Sequence, residues 1–285
     1  GSIMVTTASH SNTTNYNAQE EANNTKVALI LGGWSPGPLY YLAPFLQHEL
    51  GYALLQPAIE MPPVTWGWCC RASSLLLLVV YGGIVWLVRI WCRGTSSWWS
   101  YAAAVVVAFL GSLVWLRLLV AQAVHASMQY NLQVCRQLIN EYNVSLVVGF
   151  SWGGALAAEI LAADAASPGM GPPSIFRVLP RPAFLLLAPT TAVVANLNLW
   201  QPHDAAWRIT ANAAAGTVVS VVHATADAVF CPHPERWSRD DETNHSNIEL
   251  ALLRDNHVLL RSASERRVKE IVTRLVERQQ SDNGG

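Results

Sequence analysis

Three side chains of the kinds that together carry out acyl transfer occur in this chain in the order Ser151, Asp227, His257, each just beyond a short apolar run. A serine hydroxyl becomes a useful nucleophile only when a base takes its proton. An imidazole is suited to that task, and a carboxylate can orient the imidazole and stabilise its cation. The sharpest local signal is the stretch Asn143 to Leu161, NVSLVVGFSWGGALAAEIL. Leu146 to Val148 reads as a buried strand, Gly149-Phe150-Ser151-Trp152-Gly153 as a very tight turn, and Ala155 to Leu161 as a helix of strong helix formers. Such a turn projects the serine, and the Trp152 backbone N–H at the helix start is placed to stabilise an oxyanion. A glycine-rich turn carrying an idle serine is the plainer reading of the same residues.

The elements that must position these groups alternate between strand and helix. Lys26 to Leu31 is a strand that empties into Gly32-Gly33-Trp34-Ser35-Pro36-Gly37-Pro38, followed by a helix from about Leu39 to Leu50 that Gly51 stops. The Trp34 N–H is the candidate second oxyanion donor, with a tight crossover as the equal alternative. Ala53 to Gln56 is the next strand, and His125 to Tyr142 an amphipathic helix with Met128, Leu132, Cys135, Leu138, Ile139 and Tyr142 on one face, either separate from the apolar helix before it or continuous with it. Residues 165 to 182 read as loop, and Phe184 to Ala188 as strand. Pro189 to Ala215 includes a helix without clear limits. Thr217 to Val222 runs into His223-Ala224-Thr225-Ala226-Asp227, and Ile248 to Leu253 into Arg254-Asp255-Asn256-His257. The capping box Ser262 to Glu265 opens a last helix with Val268, Ile271, Val272, Leu275 and Val276 on one face. This alternation predicts an α/β fold with a doubly wound, mostly parallel sheet, whose sites form at the carboxyl ends of strands. His223, His233 and Asp255 are rivals for the acid and base roles; Asp255 stands too near His257 in sequence to be its obvious partner.

Composition adds a second theme. Only 13% of the 285 residues are charged and 52% are hydrophobic, with a net charge of −1. That is apolar for a soluble protein and gives no electrostatic case for nucleic acid. The apolar excess is concentrated in Ser74 to Val88 and in Thr95 to Leu116. The second run would extend about 33 Å as helix, the thickness of a bilayer's hydrocarbon. Trp66, Trp68, Trp91, Trp98, Trp99 and Tyr101 crowd the ends of both runs, and Arg71, Arg89, Arg93 and Arg117 lie nearby. With Arg93 to Ser97 alone between them, the runs form an antiparallel hairpin that returns the chain to the side it left. Residues 74–121 are therefore expected to insert in a lipid bilayer, by spanning or by shallow insertion, with an apolar lid as the soluble alternative. The remaining divisions are a disordered leader at 1–25 and a folded body at 26–73 and 122–285, expected on the cytosolic side of a membrane or its organellar equivalent. The five cysteines have neither disulfide nor zinc spacing and are expected to be reduced thiols. Four N-x-Ser/Thr triplets, at Asn12, Asn23, Asn143 and Asn244, are taken as chance matches.

The order Ser, Asp, His beyond successive strands resembles that of the α/β-hydrolase superfamily. Gly149 to Gly154, GFSWGG, is similar to the GFSxGG of small carboxylesterases, acyl-protein thioesterases and dienelactone hydrolases. HATADAVFCP resembles their HGxxDxxxP acid loop, with Ala224 where glycine is usual, and Gly32-Gly33-Trp34 resembles the His-Gly-x oxyanion loop with Gly32 in place of histidine. The resemblance covers roughly Lys26 to Pro63 and His125 to Arg278. It implies Ser151 as nucleophile, His257 as general base and acid, Asp227 as orienter, and Trp152 and Trp34 amides as oxyanion donors. It implies no metal and no cofactor. The expected activity is cleavage of a small-molecule carboxylic ester or thioester, with an apolar acyl part suggested by the hairpin. A noncatalytic membrane subunit or scaffold of the same fold is the competing expectation.

Overall fold

Short β-branched runs become strands at the positions where the sequence predicts them, and the pairing of those strands explains which loops meet. The computed structural model describes residues 4–6, 26–62, 70–93, 98–165, 181–200, 204–211, 217–232, 234–237 and 247–284. Two units are distinguished: Gly1–Ile59, Asn131–Ala195 and His203–Gly285 form one, Glu60–Tyr130 and Asn196–Pro202 the other.

The first unit is built on a seven-stranded sheet of β1 (Met4–Thr6), β2 (Val27–Leu31), β3 (Ala53–Gln56), β4 (Leu146–Phe150), β5 (Ala183–Leu187), β6 (Val219–Ala224) and β7 (Ile248–Leu253). The order across the sheet is β1-β3-β2-β4-β5-β6-β7. Every neighbouring pair is parallel except β1 with β3, which is antiparallel in the register Met4 to Gln56. Between β2 and β4 the strand order reverses direction, and the crevice outside the carboxyl ends of such a pair is where doubly wound sheets bind ligands. The helices of this unit are α1 (Leu39–His48), the end of α3 (Trp98–Glu141) from Asn131 on, α4 (Trp152–Ala165), the first residues of α5 (Thr191–Leu197), α6 (Ala205–Ala211) and α7 (Ser262–Gly284).

Strands β4, β5 and β6 are buried along their whole length, as central parallel strands must be when helices cover both faces. On one face α7 packs Val268, Ile271, Val272 and Leu275 into the same core as Leu146, Val148, Leu185 and Val222. Near its end the Gln279 side-chain amide donates to the carbonyls of Ser145 and Arg181, at 2.7 and 3.1 Å. That bond pair satisfies backbone acceptors at the entrances of β4 and β5. Helix α4 is buried from Trp152 to Ala162. An apolar helix with no polar face has to be interior, and its alanines let it lie close to the sheet.

The second unit consists mainly of two long helices, α2 (Ala72–Arg93) and the larger part of α3 (Trp98–Glu141). They are antiparallel, because the Gln122 amide donates to Ser73 Oγ at 2.7 Å while Tyr81 shares a 2.7 Å hydrogen bond with Ser112. The Tyr81 ring also stacks on Trp115, with centroids 5.5 Å apart. Both helices are long and apolar enough to cross a membrane by length and composition. Helix α2 continues through Arg89 to Arg93, longer than the uncharged run alone suggests, and its 22 residues span about 33 Å. At its start Arg71 pairs with Glu60 at 2.5 Å and lies over the Tyr130 ring.

Several expectations are refined. No element is expected within residues 1–25, yet Met4–Thr6 form the antiparallel edge strand. Of the two options for the amphipathic helix from His125, the continuous one holds: it is the end of α3, which runs without a break from Trp98 to Glu141. Among its described residues the segment from Pro189 to Ala215 holds two short helices, α5 and α6. Trp66, Trp68, Cys69, His233, residues 94–97 and the triplets at Asn12, Asn23 and Asn244 lie outside the described residues.

Candidate active site

The site begins with backbone geometry at the end of β4. Ser151 has φ of +54°, in the left-handed region where a side chain costs about 1–3 kcal/mol. Two interactions hold it there: its N–H donates to the Leu187 carbonyl at 3.0 Å, and its own carbonyl accepts from the Ala155 N–H at 3.0 Å. The turn is also too tight for side chains at its flanks. A Cβ on Gly153 would sit 2.1 Å from the Leu31 carbonyl oxygen, and one on Gly149 would sit 2.4 Å from the Gly153 carbonyl oxygen. Glycine at these positions is thus a packing requirement that lets β4 enter α4 directly.

The loop after β2 passes the serine at contact distance. A Cβ on Gly33 would fall 2.7 Å from Ser151 Cβ and 3.2 Å from its Oγ. The Trp34 amide follows Gly33 directly, while the Trp34 ring stands more than half exposed. Trp152, whose amide is the other donor nominated from sequence, is buried at the first turn of α4, where unpaired N–H groups and the helix dipole favour negative charge.

The remaining side chains arrive from β6 and β7. His257 Nε2 lies 2.7 Å from Ser151 Oγ, and His257 Nδ1 lies 2.5 Å from Asp227 Oδ2. An ionised carboxylate can only accept, so Nδ1–H donates to Asp227 and leaves Nε2 free to accept the serine proton. The three residues nominated from sequence therefore form one continuous hydrogen-bonded chain. Asp227 Oδ1 also accepts from the Phe230 N–H at 3.0 Å. The carboxylate is buried, and burial alone would raise its pKa. The hydrogen bond from His257, the Phe230 amide, the imidazole charge and Cys231 together outweigh that effect and hold it below the ordinary carboxylate range.

The rivals have other roles. Asp255 accepts from the Asn256 N–H at 2.8 Å and the Arg261 N–H at 3.1 Å, so it shapes the loop that presents His257. His223 is buried, and neither ring nitrogen has a partner among the described residues. Burial lowers its pKa to about 4 against the opposing charges of Asp227, Asp204 and Glu235.

Sequence reasoning did not single out the aromatic walls of the imidazole. Phe150 and Phe230 hold their rings 5.4 and 4.7 Å from that of His257. Both are immediate neighbours of the motifs, but their convergence on one ring depends on which loops meet. The sequence marks Cys231 only as a thiol. It is buried and donates to the Pro189 carbonyl at 3.4 Å, and burial followed by the nearby Asp227 charge keeps it protonated. Asp227, Cys231 and His257 place ligand-type atoms within 4.8 Å of one another. Here the carboxylate and both imidazole nitrogens are hydrogen-bonded to one another and to Ser151.

The sheet order and the placement of these loops are those of the α/β-hydrolase fold. No protein-family model and no curated protein sequence matches the chain. Solved structures to which it is similar include an acetyl ester-xyloside bifunctional hydrolase from Caldicellulosiruptor lactoaceticus, at 10% identity and TM-score 0.45, covering 95% of this chain and 87% of that one. An esterase domain from Rhodothermus marinus has 12% identity and TM-score 0.45 over 90% and 89% of the two chains. An esterase from Pyrococcus furiosus has 13% identity and TM-score 0.45 over 90% and 83%.

Proposed function

We propose that this protein is a membrane-anchored serine hydrolase that cleaves carboxylic ester or thioester bonds. The observation that carries the reading is the hydrogen-bonded chain from Ser151 through His257 to Asp227, held at the strand-order reversal of the sheet. In the forward step Ser151 Oγ attacks the carbonyl carbon as His257 Nε2 takes the hydroxyl proton. The tetrahedral oxyanion is stabilised by the amides of Trp152 and Trp34, and the positive imidazolium by Asp227. His257 then returns the proton to the departing oxygen or sulfur, which leaves as alcohol or thiol and an acyl-serine remains. Water, deprotonated by the same imidazole, attacks the acyl carbon; the bond to Ser151 Oγ breaks, the imidazolium returns its proton to that oxygen, and the acid leaves.

Anchoring is supported by the lipid-length hairpin of α2 and α3, whose large apolar side chains are exposed instead of packed. An apolar acyl group follows as the expected substrate part for an enzyme retained at a bilayer. The test is covalent: the full-length protein should react with a fluorophosphonate probe and the Ser151→Ala variant should not. Continued labelling of that variant would refute the assignment of the nucleophile. Hydrolysis across a chain-length series of esters and thioesters in detergent then fixes the substrate class, and a strong preference for short water-soluble esters would reject the lipid-like acyl part.

A further inference from the structure

Arg117 is the first charge on α3 after the uncharged run, and among the described residues it pairs with no carboxylate. Its guanidinium donates to the carbonyl of Leu197 at 2.7 Å and to that of Asn196. These carbonyls end α5, where C-terminal acceptors lack helical partners and a cation is favoured. The chain then turns on Asn198, which is buried and whose Oδ1 accepts from the Trp200 N–H at 3.2 Å. The turn leaves Leu199 and Trp200 outward, 45% and 55% exposed, within the same unit as the hairpin. Two large apolar side chains on a short, internally bonded loop are thus clamped to one level of α3.

That level has a specific meaning. At about 1.5 Å per residue, Trp98 to Arg117 rises roughly 29 Å, close to the hydrocarbon thickness of a bilayer. Past Arg117 the exposure of α3 changes: Leu110, Leu113, Val114 and Leu116 are exposed, whereas Ala121, Ala123 and Val124 are buried. Arg117 therefore marks the boundary between the lipid-facing and protein-facing parts of the helix. Tryptophan is enriched at that depth because its ring is apolar and its N–H can reach water or headgroups.

We propose that Leu199 and Trp200 form a second membrane contact, seated in the interfacial layer of the leaflet that Arg117 borders. The hairpin thereby enters the bilayer with an interfacial collar at its base. This rests on the anchoring reading above, and the occupant is the lipid interface because the loop is bonded to the helix at the point where lipid exposure ends.

The test uses full-length protein reconstituted into dioleoylphosphatidylcholine vesicles containing radiolabelled lipid. The photo-crosslinking residue p-benzoylphenylalanine is placed singly at Trp200, at Leu199, at Val107 within the hairpin, and at Arg267 on the charged face of α7. Lipid attachment at 107 and at 199 or 200, with none at 267, is the expected result. Arg117→Ala should reduce attachment at 200 while leaving that at 107 unchanged. Attachment at 107 without attachment at 199 or 200 overturns the collar and leaves the anchor standing. Loss at 107 overturns anchoring and the collar together. Crosslinking of 200 to a second copy of the chain, without lipid, replaces the collar with a self-association surface, and equal attachment at 267 rejects the collar as nonspecific.

Discussion

The sheet-bearing unit and the hairpin use apolar residues in opposite senses. In the first, β4 is LVVGF and all of it is buried; in the second, α2 is also rich in large apolar side chains, yet its one buried residue is Ser74. The contrast shows that hydrophobicity alone does not say what a segment packs against. A five-residue β-branched run leaves its backbone bonds to be completed by neighbouring strands, so it is drawn into a sheet. A 22-residue run completes its own backbone bonds as a helix and can present side chains to any apolar medium.

The largest effect should fall on the chemistry of the first unit. Ser151→Ala or His257→Ala should each lower kcat by about 10⁴-fold or more, and the double variant should lose little further, since the groups act as a unit. Steady-state hydrolysis of a chromogenic ester checks this; additive losses would break the claim of one coupled site. Next comes a paired substitution that tests the contrast itself. Val148→Asp buries a carboxylate at the centre of the sheet and should abolish cooperative folding, because an unpaired buried charge costs several kcal/mol. Val107→Asp, in the exposed stretch of α3, should keep esterase activity and the unfolding midpoint in detergent. Its cost, about 2.5–3.5 kcal/mol at mid-membrane, should appear as impaired insertion into microsomes.

What the sequence makes legible follows the same division. The turn at Ser151, the acid loop and the His257 loop are short and local, and each stands directly after an apolar run, so their residues can be named before any strand is placed. The two amides are legible only as candidates, because nothing in the residues 32–34 says that Gly33 comes against Ser151. The edge strand Met4–Thr6 is hidden for a related reason: its partner, β3, lies some fifty residues on, and three residues in a polar stretch carry no periodicity of their own. Asp255 is recognised as distinct from the acid by sequence proximity, yet its role in forming the His257 loop depends on the Arg261 amide. The continuity of α3 is legible only as one of two options, because its surroundings, and with them its apolar pattern, change past Arg117.

Intermediate effects sharpen the comparison further. Gly153→Ala should destabilise the first unit by about 1–3 kcal/mol through overpacking against the Leu31 carbonyl, seen as a lower urea midpoint. His223 supplies a pH signature. It stays neutral in the folded chain until about pH 4, while the unfolded chain takes up its proton near 6.5. The unfolded state binds more protons between those values, so stability should be unaffected by this group above pH 6.5 and should fall by up to about 3 kcal/mol as pH drops to 4. Asp227, held below its ordinary value of 3.8, loses its contribution only at lower pH still. Urea titrations of wild type and His223→Gln across this range should differ in slope; identical slopes would reject the buried neutral histidine. The hairpin has no histidine or acidic residue between Ala72 and Val120, so its insertion should not follow this curve. The smallest effect belongs to the exposed pair Arg267 and Glu270 on α7, where Arg267→Ala should change stability by less than about 1 kcal/mol.

The unbroken helix from Trp98 to Glu141 also bears on how the molecule is assembled. Ala28 on β2 pairs with Leu146 on β4, so the central strands of the sheet must find each other across more than a hundred residues of intervening chain. As the ribosome delivers the polypeptide, both helices of the hairpin have been made before Ser151 exists. A hairpin that has already closed takes its own length out of the loop, which lowers the entropic barrier to the β2–β4 encounter by about half a kcal/mol. On the proposed membrane-anchored reading, insertion of the hairpin is then an early event in biogenesis, and Ser151 is completed only after the chain has returned from it.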